Sequence, residues 1–331
     1  MKAGKNKKIN IRSKLFAHLE TWRPYTVIWC GLVSLSGASI VYNGLPPLKI
    51  SLLTLFIPMM GWTAGLYLSD FLDRKLDRIQ KPHRPIPSGR IKPKEALFIG
   101  GIFALLGFLL SFLLSIYNIL LVFAVAAIVF LYAKISKSRG LLGNINRGIA
   151  TAAAYFFGVF SIGQEIQSIP FYIWILSLVF LIHDTNSNLV GAIRDIEGDK
   201  KGGYDTYPVR YGLKKSIIFS SILTTIWLSL TLYLPYYYNF MKNGYNFYIF
   251  MILDVLILSI FYIYLISSLK NYSRKKALNF HEFFVIERIT LASAFLFGFI
   301  NVSIAITLYF TAIIITALSQ IILRKRYEFS E

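Results

Sequence analysis

Eight stretches of this chain run fifteen residues or more without a charged side chain: 25–48, 50–69, 96–133, 148–164, 166–182, 216–241, 255–269 and 289–323. Apolar stretches of about 18 residues or more are long enough to cross a bilayer as helices. Charged residues make up 15% of the 331 residues, against roughly 25% in a soluble domain. A β-barrel would need alternating strands of about 10 residues instead. The expected fold class is therefore all-α, a polytopic membrane bundle. Spans are predicted at 25–42, 50–69, 95–115, 117–134, 145–163, 170–190, 216–236 and 246–268, with one or more in 289–323. Thirty-five residues are too many for one helix across a core of about 30 Å. One tilted helix there gives about nine spans; a break near Gly298 or Asn301 gives ten. Residues 1–24 read as a basic, partly amphipathic leader and 25–331 as a single membrane-embedded domain. No cleavable signal peptide is expected, and the single cysteine, Cys30, reads as a small hydrophobe in the first span.

The formal net charge of +19 would suit nucleic acid, but its placement points elsewhere. Thirty of the 35 Lys and Arg fall in five clusters, at 1–24, 74–94, 134–147, 194–215 and 270–288. They alternate with connectors that carry almost no charge, at 43–49, 163–169 and 236–245. Every second loop is basic, which is the positive-inside pattern. The basic loops are expected on the cytoplasmic face of a cell membrane, with the lipid bilayer as partner and no nucleic acid.

Two of those basic loops also hold the chain's acids. In "SDFLDRKLDRIQKPHRPIPSGRI" (69–91), Asp73 and Asp77 are four apart and share a face of a helical extension of the second span, with Asp70 close to it. Like charges at that spacing destabilise a helix unless a cation sits between them. In "RDIEGDKKGGYDTYPVRYG" (194–212), Asp195 and Asp199 repeat the spacing and Lys200, Lys201 and Arg210 follow. Both loops come after an even-numbered span, so both emerge on the basic side. Facing carboxylate clusters suit Mg²⁺, which takes one or two carboxylates plus phosphate oxygens. The neighbouring cations suit the outer oxygens of a diphosphate. In a membrane, such a diphosphate carries a lipid tail.

These residues resemble the UbiA-type intramembrane prenyltransferases. That family's NDxxDxxxD motif reads here Ser69, Asp70, Asp73, Asp77, and its DxxxD motif reads Asp195, Asp199. "HRPIPSGRI" (83–91) and "DIEGD" (195–199) are closest to the digeranylgeranylglyceryl phosphate, chlorophyll and homogentisate branches. "LYAKISKSRGLLGN" (131–144) is similar to the segment with a Tyr and a Lys after the fourth span, and "TWRP" (21–24) to an N-terminal RP element. The resemblance implies nine helices around a lipid-open cavity capped by the two acid loops. It makes Asp73, Asp77, Asp195 and Asp199 the catalytic Mg²⁺ ligands, joined by Asp70. Arg84, Arg90, Tyr132, Lys137, Arg194 and Lys200 become the diphosphate contacts. Ser69, Asp184 and Asn188 are candidates for the acceptor side, with Asp184 a proton acceptor. The chain departs from the pattern in three places. Ser69 replaces Asn, Ala192 stands where some branches have a third aspartate, and the Tyr132–Lys137 spacing is one residue longer than in the hydroxybenzoate branch.

The implied activity is Mg²⁺-dependent transfer of a prenyl group from a prenyl diphosphate to an acceptor. That acceptor is hydrophobic, either an electron-rich aromatic of quinone type or the hydroxyl of a glycerol phosphate lipid. A membrane terpene cyclase would use the same site without an acceptor. A polytopic transporter would show inverted repeats and intramembrane charges on broken helices.

Overall fold

The structure, a computed structural model, describes residues 11–328. A short helix, α1 (Ile11–Trp22), precedes ten longer ones among the described residues: α2 (Pro24–Tyr42), α3 (Leu48–Gln80), α4 (Pro93–Ser111), α5 (Ile116–Leu131), α6 (Leu142–Phe160), α7 (Phe171–Arg194), α9 (Tyr207–Tyr238), α10 (Gly244–Ser267), α11 (Arg274–Phe299) and α12 (Val302–Ser319). The short helices α8 (Ile196–Lys201) and α13 (Lys325–Glu328) lie at their ends. Eight of the helices are long and apolar enough to cross a membrane by length and composition, and the chain is a multi-pass membrane protein. The eight leave out α6 and α11; Asn144, Asn146 and Arg147 interrupt the first, and Glu287 and Arg288 the second.

The final apolar run is divided. Helix α11 ends at Phe299, and Asn301 caps α12 by accepting from the Ser303 N–H at 2.9 Å. This is the break anticipated near Asn301. It adds a helix to the nine and returns 324–326 to the end of the bundle where Arg23 and Asp70 lie, since the Tyr327 hydroxyl donates to Asp70 Oδ1 at 2.8 Å.

The two ends of the bundle differ in chemistry. At one, the connectors are short and nearly uncharged: Lys242 Nζ donates to the Asn43 carbonyl at 3.2 Å, and the Asn243 N–H to the Gly298 carbonyl at 2.8 Å. At the other, each of the five basic clusters has a side chain paired with an acid. Arg23 pairs with Asp70, Arg84 with Asp77, Lys137 with Asp73, and both Arg194 and Arg274 with Glu328.

Helices α2 and α11 form the centre. Every residue from Val27 to Ile40 and from Glu287 to Ile300 is buried. Close approach of helices needs small residues where backbones meet. On α6, a Cβ at Gly158 would stand 1.7 Å from the Ser34 carbonyl oxygen, and one at Gly148 2.3 Å from that of Leu181. Helix α6 is thereby pressed against α2 on one side and α7 on the other. Helices α4 and α5 sit outside, with Leu105, Leu109, Leu120 and Phe123 exposed on apolar flanks that suit lipid contact.

Candidate active site

Helix α3 is 33 residues long, about 50 Å at 1.5 Å per residue. It outruns a bilayer core, so its last turns stand at the basic end. Those turns carry Asp70, Asp73 and Asp77 on one face. Each carboxylate is met by a cation from another segment. Arg23, placed just before α2 in a left-handed backbone conformation, pairs with Asp70. Lys137 pairs with Asp73, which also accepts from the Ser69 hydroxyl at 3.3 Å. One Arg84 Nη1 donates to both oxygens of Asp77, at 3.1 and 3.0 Å.

The second acid loop is tied to the first through the chain around Lys137. Residues Arg139–Gly140 and Asp205–Thr206 form a two-residue parallel bridge, and the Asp205 N–H donates to the Ser138 carbonyl at 3.0 Å. Lys137, on Asp73, is thereby one residue from the strap that holds the 199–206 turn. Arg194 donates to both oxygens of Asp195, Nε at 3.2 Å and Nη2 at 2.5 Å. Asp199 accepts from the Thr206 hydroxyl at 3.2 Å and, among the described residues, has no ion pair.

The electrostatics separate the two second-loop acids. Burial would raise both. Arg194 and Lys81 more than offset it at Asp195, which is lowered to about 2. At Asp199 burial acts together with the Asp195 charge and lifts the carboxyl to about 6. Burial would lower Lys137, but Asp73 holds it above its ordinary value. Lys81 is pushed down by burial and by Arg84. Burial would raise Glu328, yet Arg194, then Lys81 and Arg84, keep it well below the usual carboxylate range.

These groups ring the mouth of one cavity of about 740 Å³. Asp70, Asp73, Asp77, Asp195, Asp199, Arg84, Lys137 and Arg194 all line it, and so do Ser69, Tyr132, Asn188 and Ala192. Below them the wall is apolar and made largely of small residues from α3, α4 and α5, such as Gly61, Gly65, Gly100, Gly107 and Ala126. Tyr132 opens a π-helical turn at the end of α5, and its hydroxyl accepts from the Asn188 amide at 3.4 Å.

Three of the site residues implied by the resemblance do not line the cavity, and neither do Lys201 and Arg210. Arg90 donates to both oxygens of Glu20, at 2.8 and 2.7 Å, and to the His83 carbonyl at 2.8 Å; it fastens the 82–91 loop to α1. Lys200 is exposed on α8. Asp184 is buried behind the wall, where it accepts from Arg147 Nε at 3.2 Å and the Thr151 hydroxyl at 2.8 Å. Arg147 itself faces the cavity and lies over the Trp62 ring at 4.9 Å.

Residues absent from the sequence reading also belong to the site: Arg23, Lys81, Tyr204, Arg147 and Glu328 line it. Arg23 had a signal in the "TWRP" match. Glu328 had none, being some 250 positions from the loop it meets. Tyr204 is placed through the backbone, its N–H donating to the Asp199 carbonyl at 2.9 Å.

Among the described residues no three acidic, histidine or cysteine side chains converge on one point. The donor set still fits a hard divalent cation that shares its shell with phosphate oxygens, because such an ion needs only one or two carboxylates from each loop. Asp199, half-buried beside Asp195 and without an ion pair among the described residues, is the acid that most calls for one.

Comparison with known proteins gives a consistent picture. The model of the UbiA prenyltransferase family matches residues 27–287. The digeranylgeranylglyceryl phosphate synthase of Pyrococcus horikoshii is 31% identical over 206 residues, 62% of this chain and 73% of that protein. The synthase of the same name from Methanocaldococcus jannaschii is 32% identical over 213 residues, 64% and 73% of the two chains. A solved structure described as a digeranylgeranylglyceryl phosphate synthase in membranes is 29% identical with a TM-score of 0.64, covering 86% of this chain and 98% of that one. A UbiA homologue from Archaeoglobus fulgidus bound to GPP and Mg²⁺ has the same fold, with a TM-score of 0.61 at 18% identity over 84% and 99% of the two chains.

Proposed function

This chain belongs to the UbiA prenyltransferase family, and we propose that it transfers a prenyl group from a polyprenyl diphosphate to the hydroxyl of a glycerol phosphate lipid. One observation carries the reading: two aspartate loops, linked through the Lys137–Asp73 pair and the 139–140/205–206 bridge beside it, cap an apolar cavity whose mouth is lined with Lys and Arg. The choice of acceptor rests on the relatives, whose name specifies two geranylgeranyl chains on glyceryl phosphate. An acceptor that already carries one chain follows from it.

Asp73, Asp77, Asp195 and Asp199, with Asp70 beside them, are the groups that would hold Mg²⁺, which neutralises charge on the departing diphosphate. Arg84, Lys137 and Arg194, which line the mouth, would bind its outer oxygens, and Tyr132 and Arg23 border the same mouth. Arg90 and Lys200 contribute from outside the wall: the first fixes the loop that carries Arg84, the second adds positive potential. As the carbon–oxygen bond at C1 breaks, the cavity keeps water from the allylic cation. The acceptor oxygen then bonds to C1 and its proton passes to the departing diphosphate. Ser69 and Asn188 line the mouth where that hydroxyl would lie, and Asp184, behind the wall, serves to hold Arg147 and does not take the proton. The five basic clusters share the acid-loop end, which supports a cytoplasmic mouth by the positive-inside rule. Residues 25–331 act as one domain in this account.

The test is purified protein with Mg²⁺, radiolabelled geranylgeranyl diphosphate and either geranylgeranylglyceryl phosphate or an aromatic acceptor. Label is expected in the glycerol phosphate lipid and lost in Asp73→Ala and Asp195→Ala. Transfer only to the aromatic, or release of a cyclised hydrocarbon with no acceptor present, rejects the reading.

A further inference from the structure

The chain's own C-terminal segment sits in the mouth of the cavity. Glu328 is 4% exposed and lies among three cations: Arg274 Nη2 at 3.0 Å, Arg194 Nη1 at 3.6 Å and Lys81 Nζ at 3.8 Å. Tyr327 precedes it, 1% exposed, its ring between the guanidinium groups of Arg23 and Arg84 at 4.1 Å each. Its hydroxyl donates to Asp70 at 2.8 Å, and its carbonyl oxygen is 3.1 Å from His83 Nε2. The segment therefore touches the RP element, the first aspartate motif, the HRPIP loop, the end of α7 and the start of α11. Four of those five belong to the donor machinery described above.

Three cations from three separate segments around one buried carboxylate make a site shaped by charge, not by chain connectivity. Guanidinium and ammonium groups bind phosphoryl oxygens with the same charge-assisted hydrogen bonds they give a carboxylate. Two of the three, Lys81 and Arg194, line the cavity, as does Glu328 itself. We propose that Lys81, Arg194 and Arg274 form an anion site for a phosphoryl group of the substrates, and that Glu328 occupies this site until a phosphate displaces it. The inference rests on the prenyl transfer reading for its ligand, not for the site. The phosphoryl group has two sources, the donor's diphosphate or the acceptor's phosphate.

Displacement has a thermodynamic signature. A ligand that binds only when the tail is out has its apparent affinity reduced by the fraction of time the site is vacant, so a tail seated nine-tenths of the time costs about tenfold. Neutralising Glu328 removes the competitor, and neutralising Lys81 removes a ligand of the phosphate. The two changes push affinity in opposite directions. If Glu328 served instead to hold the three cations in place for a phosphate bound elsewhere on them, both changes would weaken binding.

The experiment measures equilibrium binding of inorganic pyrophosphate, and separately of glycerol phosphate, to the full chain in detergent. The proteins are wild type, Glu328→Gln and Lys81→Gln, together with a chain ending at Arg326. The KM of the prenyl diphosphate and of the lipid acceptor is then compared in the same proteins. Glu328→Gln and the shortened chain are expected to bind one probe about tenfold tighter and to lower the matching KM, while Lys81→Gln weakens that probe. Pyrophosphate responding assigns the site to the donor, and glycerol phosphate responding assigns it to the acceptor. Unchanged or weaker binding of both probes in Glu328→Gln overturns the proposal, whatever the turnover. Tighter probe binding in a protein that transfers no prenyl group would leave the site standing and remove the prenyl transfer reading instead.

Discussion

Asp199 shows how one residue's surroundings set its task. Among the described residues it is the motif aspartate without an ion pair, and burial beside Asp195 lifts it to about 6. In metal-free protein the folded chain keeps this proton at a pH where the unfolded chain, titrating near 3.8, has lost it. Stability therefore falls as pH rises through the interval between those two values and stays lowered above it. Asp199→Asn is expected to raise the unfolding temperature in Mg²⁺-free buffer at pH 7.5 and to leave it unchanged at pH 3.5. Mg²⁺ should then stabilise the wild type but not the variant. Ser69 predicts a smaller effect. Its hydroxyl gives Asp73 one hydrogen bond at 3.3 Å, and such bonds contribute about 0.5–1.5 kcal/mol. Ser69→Ala should raise the KM for Mg²⁺ a few-fold with little change in kcat, read from a Mg²⁺ titration of initial rates. The aspartates were legible in the sequence because their spacing is local and helical, whereas Arg84, Lys137 and Arg194 were named there only through the family resemblance. The role of Arg90 was not, since its partner Glu20 lies 70 positions away and nothing in either segment announces the other.

At the scale of elements, apolar length located the spans and missed what the helices do at their ends. Helix α3 was expected across 50–69 with a helical extension; it runs unbroken to Gln80, and that extension is the first half of the site. The 289–323 run could be one helix or two on length alone. The choice was made by Asn301, whose side chain caps α12. Glycine contacts were not legible, because a glycine in an apolar run carries no sign of which backbone it faces. Gly158→Ala should be among the most damaging single methyl additions in the protein, since the new carbon would overlap the Ser34 carbonyl on α2. Overpacking of this kind costs about 1–3 kcal/mol or more, and a lowered unfolding temperature in detergent would report it. Gly101→Ala, where a Cβ meets nothing within 4 Å, is the matched control and should unfold near the wild-type temperature.

For the molecule as a whole, the alternation of basic and uncharged loops made the two ends readable, while the cavity was not. Its volume depends on which small residues of α3, α4 and α5 face one another, and that follows from packing and not from pattern. The wall predicts a handle on chain length. Gly61 lines the cavity with nothing within 4 Å of its Cβ position, so Gly61→Phe would place a ring in the space for the tail. The ratio of kcat/KM for a twenty-carbon over a ten-carbon diphosphate should fall about tenfold or more, in line with the few kcal/mol lost on overfilling a packed apolar site. A ratio equal to wild type would place the tail elsewhere.

The centre of the bundle also has a history during synthesis. Helix α2 is covered by α3, α6, α11 and α12, and Ser36 on it gives its hydroxyl to the Ala292 carbonyl of α11 at 2.9 Å. Yet α2 leaves the ribosome long before α11 and α12 exist. It must first be lodged in lipid, with its three serines turned to hydrocarbon or to a chaperone, and be taken out of lipid when the last hairpin arrives. A ribosome stalled before residue 274 would hold a chain with both aspartate loops already made and α2 still waiting for its cover.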